Sequence, residues 1–130
     1  MRINNEDLLE VNGVRVVVSL AASTSLKPIW LGQTVNYSIQ LTFTGTPDGT
    51  FKLQASDDVG NSTATADTQM YEKVVNWTDI FGSEQEITEG GNHTWRACNA
   101  GYPWVRVVWT AAGAGTSPVL TEARSLVQGA

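Results

Sequence analysis

The sequence predicts an all-β chain: a single antiparallel β-sandwich or jelly roll of about eight strands, with an N-terminal arm. Three observations lead there. Short apolar stretches recur at roughly ten-residue spacing, punctuated by Gly, Pro, Asn and Asp. No stretch carries the period of a long amphipathic helix. Finally, Val35, Tyr37, Ile39, Leu41 and Phe43 alternate with Asn36, Ser38, Gln40, Thr42 and Thr44, as in a strand with one buried and one wet face. At 130 residues, the chain can bury a working core without disulfide or metal staples.

Taken in order, residues 1–12 carry three acids and two Asn before Val11 and read as the arm, with residues 13–130 as the sandwich. Terminal arms order when something ties them down, and Ile3, Leu8, Leu9 and Val11 are the apolar anchors available for a neighbouring chain. From Gly13, the valines Val14, Val16 and Val18 alternate as a strand. Ala21–Pro28 reads as a loop, and Ile29-Trp30-Leu31 as a short apolar cluster. The 35–44 strand, the turn formers Gly45-Thr46-Pro47-Asp48-Gly49 and the alternating stretch Thr50–Ser56 predict a hairpin. Asp57–Thr68 is the longest loop, and Val74–Ile80 a second apolar group. Short strands follow at Glu84–Ile87 and His93–Ala97. Ala111–Pro118 is a loop, and Val119–Val127 alternates weakly as a closing strand.

Tyr102–Thr110 is the strongest strand of all. It places Val105, Val107 and Trp109 on one face and Trp104, Arg106, Val108 and Thr110 on the other. Bulk on both faces predicts a central strand covered on both sides. Arg106, a lone cation in this run, requires hydrogen-bonding partners. A structural role is expected for it, with a loop carboxylate such as Asp57, Asp58 or Asp79 as partner.

Composition excludes several function classes. The formal charge of −5, with eight scattered basic residues, opposes binding to a nucleic-acid backbone. No apolar run approaches the ~20 residues of a membrane span. Met1–Asp7 lacks the basic-then-apolar layout of a signal peptide, so synthesis in a cytosol is expected. Cys98 is the only cysteine and is expected to be a small buried hydrophobe. No cofactor, metal or catalytic set is expected. Asp57, Asp58, Asn61 and Asp67 offer clustered oxygens, but without the EF-hand spacing they read as a solvated loop. His93, the only histidine, has no marked nucleophile beside it and reads as an ordinary strand residue. The four Asn-x-Ser/Thr sequons at Asn36, Asn61, Asn76 and Asn92 read as accidents of a Thr- and Asn-rich chain.

The five tryptophans, Trp30, Trp77, Trp95, Trp104 and Trp109, are expected mainly in the core. Trp104 and Trp30 are the candidates for contact with a ligand or partner. Exposed, they could stack on sugar rings, which makes a carbohydrate-binding β-sandwich the alternative function.

An ordered set of segments adds a resemblance. Tyr37-Ser38-Ile39-Gln40, Phe43-Thr44-Gly45-Thr46-Pro47, Gly49–Ser56, Trp77-Thr78-Asp79-Ile80, Gly82-Ser83 and Ala100–Thr110 together resemble small virion structural proteins of bacteriophages. The likeness spans residues 35–116; the arm and the tail after Ser117 depart from it. It implies a capsid-associated β-sandwich that acts by assembly: a vertex (penton) protein, a cement or decoration protein, or the base of a spike. It further implies a homo-oligomer bound to other virion proteins, made in the host cytoplasm and located in the virion.

Overall fold

Among the described residues, eleven of thirteen strands lie in eight rows across two facing sheets, and the other two form a separate hairpin. The computed structural model describes residues 2–32, 34–58, 71, 73–98 and 100–129, and among these the side chains of 2–4, 34, 35, 98 and 129 are left aside. The strands are β1 (Arg2–Asp7), β2 (Glu10–Val11), β3 (Val14–Arg15), β4 (Val18–Ser19), β5 (Thr24–Ser25), β6 (Ile29–Trp30), β7 (Thr34–Thr46), β8 (Gly49–Ser56), β9 (Thr78–Asp79), β10 (Gln85–Ile87), β11 (Gly91–Cys98), β12 (Trp104–Ala111) and β13 (Thr116–Gly129).

In the first sheet β11, β7 and β13 lie side by side, and the outer edge of β13 is shared by β4 and β1. In the second, β8 and β12 are central; β9 and β10 share the outer edge of β8, and β5 and β6 that of β12. Counting each shared edge as one row, the first row pairs with the eighth, the second with the seventh, the third with the sixth and the fourth with the fifth. That is jelly-roll topology, as expected.

Apolar alternation fills the space between the sheets. Tyr37, Ile39, Leu41 and Phe43 face inward from β7, and Val105, Val107 and Trp109 from β12. Phe51 joins the layers, with ring centroids 5.6 Å from Phe43, 6.3 Å from Trp95 and 4.5 Å from Trp109. Trp109 satisfies its indole N–H on the Leu20 carbonyl at 2.9 Å. The weak alternation of β13 has a local cause. Leu120 pairs with Phe43 but Glu122 with Thr42, so Thr121 is an extra residue. Without this bulge, Glu122 would turn inward; with it, Ala123, Ser125 and Val127 do.

Four expectations are corrected. Residues 35–56 do not form a hairpin: β7 and β8 belong to opposite sheets. A two-residue hairpin needs positive φ in the turn, whereas Pro47 has a fixed negative φ and is fully buried. The Asp48 carbonyl then accepts from the Ala112 N–H at 2.8 Å, tying this corner to the β12–β13 connection. Gly45 makes the corner possible: its φ is +76°, and a Cβ there would sit 2.2 Å from the Ser117 carbonyl oxygen.

The first residues are not an arm separate from a 13–130 domain. β1 pairs with β13 along its length, and Leu8 and Leu9 are each 1% exposed in the chain's own core. Two of the three acids in this stretch are paired, Glu6 with Lys27 at 2.8 Å and Asp7 with Arg15 at 2.7 Å. Val11 is half-buried in β2, and the side chain of Ile3 lies outside the described residues. The expected valine strand breaks into β3 and β4, leaving Val14, Val16 and Val17 exposed. Lastly, β12 is central but its outer face is covered only in part: Trp104 is buried, Arg106 and Val108 are half-buried and Thr110 is exposed.

Candidate functional site

The outward residues of β8 and β12 create a surface of mixed charged, amide and aromatic groups. Because strands alternate, packing Leu53, Val105 and Val107 inward turns Lys52, Gln54, Trp104 and Arg106 outward. Antiparallel register then sets Arg106 opposite Gln54, and Gln54 opposite Asp79 of β9.

Arg106 donates from Nε and Nη2 to Gln54 Oε1 at 2.9 and 2.7 Å. Gln54 donates its amide N–H to Asp79 Oδ1 at 2.8 Å, and Lys52 reaches Asp79 Oδ2 at 3.0 Å. The guanidinium carbon lies 4.3 Å from the centre of the Trp77 ring, within cation–π range. Burial lowers the pKa of Arg106, and the Gln54 and Lys52 hydrogen bonds hold the Asp79 carboxyl below its usual value. Among the described residues, a carboxylate reaches Arg106 only through Gln54. Neither Asp57 nor Asp58 contacts it.

At the end of the same face, Trp30 packs on Trp104 with centroids 4.9 Å apart. Trp30 is 51% exposed, whereas Trp104 is buried and its indole N–H has no hydrogen-bond partner among the described residues. Of the two candidate contact residues, Trp30 is thus the accessible one. A depression of about 450 Å³ opens nearby, lined by Ser56, Asp57, Asp58, Asn76, Thr78 and Tyr102. Of its two acids, Asp58 is already committed. Asp58 accepts from the backbone N–H groups of Val75 and Asn76, both at 2.8 Å, and from the Asn76 side chain at 3.1 Å. Those donors lower its pKa and fix the loop. Asn61 and Asp67 lie outside the described residues, as does the side chain of Cys98. His93 stands edge-on to Trp95 at 4.6 Å, and burial depresses its pKa. Between the sheets, the hydroxyls of Tyr37 and Tyr102 share a 2.5 Å hydrogen bond; burial first, then Tyr102, pushes the Tyr37 pKa well above the ordinary phenol value.

Among solved structures, the chain is similar to SPBc2 prophage-derived protein YomS, with a TM-score of 0.52 and 16% identity, over 97% of this chain and 92% of that one. It is similar at a lower level to Tobacco streak virus coat protein, with a TM-score of 0.49, 10% identity and coverage of 98% and 85%. A family 16 carbohydrate-binding module also aligns, with a TM-score of 0.42, 11% identity and coverage of 86% and 74%. No protein-family model and no curated protein matches the sequence. The YomS likeness establishes a shared fold. Among the described residues, no helix is long and apolar enough to cross a membrane.

Two surface features went unread in the sequence. Phe81, at the turn after β9, is 100% exposed. Asn12-Gly13 forms a two-residue hairpin turn, both at positive φ (53° and 82°), that lifts Val14 into solvent. An Asn-Gly pair is the strongest short hairpin signal, so the second was detectable.

Proposed function

We propose that the chain is a structural subunit of a bacteriophage virion, assembling as a homo-oligomer on other virion proteins and having no catalytic role. The observation that carries this is the jelly roll shared along nearly the full chain with a prophage-derived protein. The ordered segments from Tyr37 to Thr110, which resemble phage virion proteins, support it independently. Jelly rolls are a frequent capsid architecture, though the fold alone does not specify function. Within this reading the subunit serves as a vertex, cement or decoration, or spike-base protein. Purified protein added to particles of the parent virus that lack it should co-sediment with them. Recovery only at the top of the gradient, with folded protein, would overturn the proposal.

A second reading has one observation in its favour: half-exposed Trp30, beside a face that carries Trp77, Gln54 and Asp79. It is glycan binding, with Trp30 as the stacking surface. A glycan array and a tryptophan-fluorescence titration test it; no saturable response removes it.

A further inference from the structure

The outer face of the first sheet lies on the other side of the sandwich from Trp30 and Arg106. Packing Tyr37, Ile39 and Leu41 inward turns Asn36, Ser38 and Gln40 of β7 outward. Antiparallel register then places Ser38 between Arg96 of β11 and Leu126 of β13, and sets Gln128 opposite Asn36. Asn36, Ser38, Arg96, Leu126 and Gln128, with Tyr37 and Ala97, line a depression of about 260 Å³. Pockets for drug-sized ligands run from roughly 300 to 1,000 Å³. This one suits a single unit of a longer ligand.

Charge marks the depression. In a chain of net charge −5, Arg15, Lys27 and Lys52 are paired with acids and Arg106 with Gln54. Arg96 is exposed, with neither an ion pair nor a hydrogen-bond partner among the described residues. No acid lines the depression, and the strand neighbours of Arg96 on this face, Ser38, Gln40 and Thr94, are neutral. Arg124 shares the face but stands opposite Asp7 and two residues after exposed Glu122, so its surroundings are balanced. The side chains of Asn36, Ser38 and Gln128 are uncommitted among the described residues, and each can both donate and accept a hydrogen bond. Exposure alone would leave Arg96 a solvated cation; the free polar groups beside it make a site.

We propose that this depression binds one acidic sugar residue of a glycan. The carboxylate sits on the Arg96 guanidinium, the hydroxyls on Asn36, Ser38 and Gln128, and a C–H edge on half-buried Leu126. One cation with no acid beside it matches a single negative charge, and the guanidinium fork fits a carboxylate with two parallel hydrogen bonds. A phosphate dianion would leave charge unbalanced there. Three side chains that both donate and accept match hydroxyls, which do the same. A peptide C-terminus brings the carboxylate without that set. The site is on the opposite sheet from Trp30, so it stands apart from the stacking reading and from the virion role.

The test titrates the full chain, labelled with nitrogen-15, with short oligosaccharides of galacturonate, glucuronate and N-acetylneuraminate, and follows its amide resonances. At least one should give saturable shifts centred on Ser38, Arg96 and Gln128. Its methyl ester, which lacks the charge, should bind about tenfold more weakly, as should the wild-type ligand to Arg96→Gln, a change at an exposed position that should leave the melting temperature unaltered. Trp30→Ala should bind as wild type does. Several outcomes overturn the proposal: no saturable response to any of the three, equal affinity for the ester, or unchanged binding by Arg96→Gln. Shifts centred on Trp30, or tighter binding of inorganic phosphate or of a peptide with a free C-terminus, overturn it too.

Discussion

Arg106 places two of its N–H groups on a single atom, the side-chain oxygen of Gln54, at 2.9 and 2.7 Å. Gln54 in turn presents its amide N–H to Asp79. The amide thus transmits the cation's need for negative charge across one strand, and Trp77 covers the guanidinium from the other side. Gln54→Leu removes the acceptor and the donor together while keeping the bulk. The expected loss is about 1 kcal/mol, the net worth of hydrogen bonds that water can partly replace. Chemical denaturation of Gln54→Leu, Arg106→Leu and the double variant checks this. Additive losses would show that the two residues are not coupled.

Leu8 and Leu9 carry more stability than their place near the chain start suggests. Each is buried in the core, so Leu8→Ala or Leu9→Ala should cost roughly 2–5 kcal/mol. Removing residues 1–12 should also strip β13 of its β1 partner and unfold the domain, which circular dichroism of the truncated chain would reveal. A cooperative melt at the wild-type temperature would restore the idea of an arm separate from the 13–130 domain.

The Tyr37–Tyr102 pair predicts a weakness in alkali. The Tyr37 pKa is raised above its ordinary value of 10.0 by burial and by the Tyr102 hydroxyl. The unfolded chain therefore loses this proton first as pH rises. Stability is complete below about pH 10 and falls above it. Tyr37→Phe should flatten that alkaline limb while costing about 1 kcal/mol at neutral pH for the lost hydrogen bond. Denaturation midpoints across the alkaline range decide the matter.

Acid acts in the reverse sense on Asp79. Its folded pKa is depressed by the Gln54 and Lys52 hydrogen bonds, so its contribution is present above the unfolded value of 3.8 and is lost as pH falls through the folded value. Asp79→Asn should reduce the slope of stability against pH in that acid window and leave the alkaline limb alone.

The legible parts of the fold were those written in regular alternation. Tyr37–Phe43 and Val105–Trp109 point inward as their spacing requires, and the outward position of Arg106 follows from the same rule. What sequence obscured was the place where local chemistry serves long-range pairing. The Thr46–Gly49 stretch has turn residues, yet buried Pro47 carries the chain between sheets. The acids of residues 6 and 7 look solvated until Lys27 and Arg15 arrive from later in the chain. In β13, one bulge at Thr121 disguises an otherwise regular strand. On the candidate face, the sequence offers Trp104 and Trp30 alike as accessible, Trp104 foremost, and Trp104 is buried because only the fold lays the Trp30 indole over it. Phe81 carried no signal beyond being an aromatic beside Gly82.

The central claim is that the chain works as a built-in part of a virus particle. Quantitative mass spectrometry of purified particles of the parent virus tests it most directly. The account predicts the protein there at a fixed copy number: a multiple of five near sixty for a vertex role, or about several hundred for decoration, by icosahedral counting from closed symmetry. Complete, infectious particles that contain none of it would contradict the account.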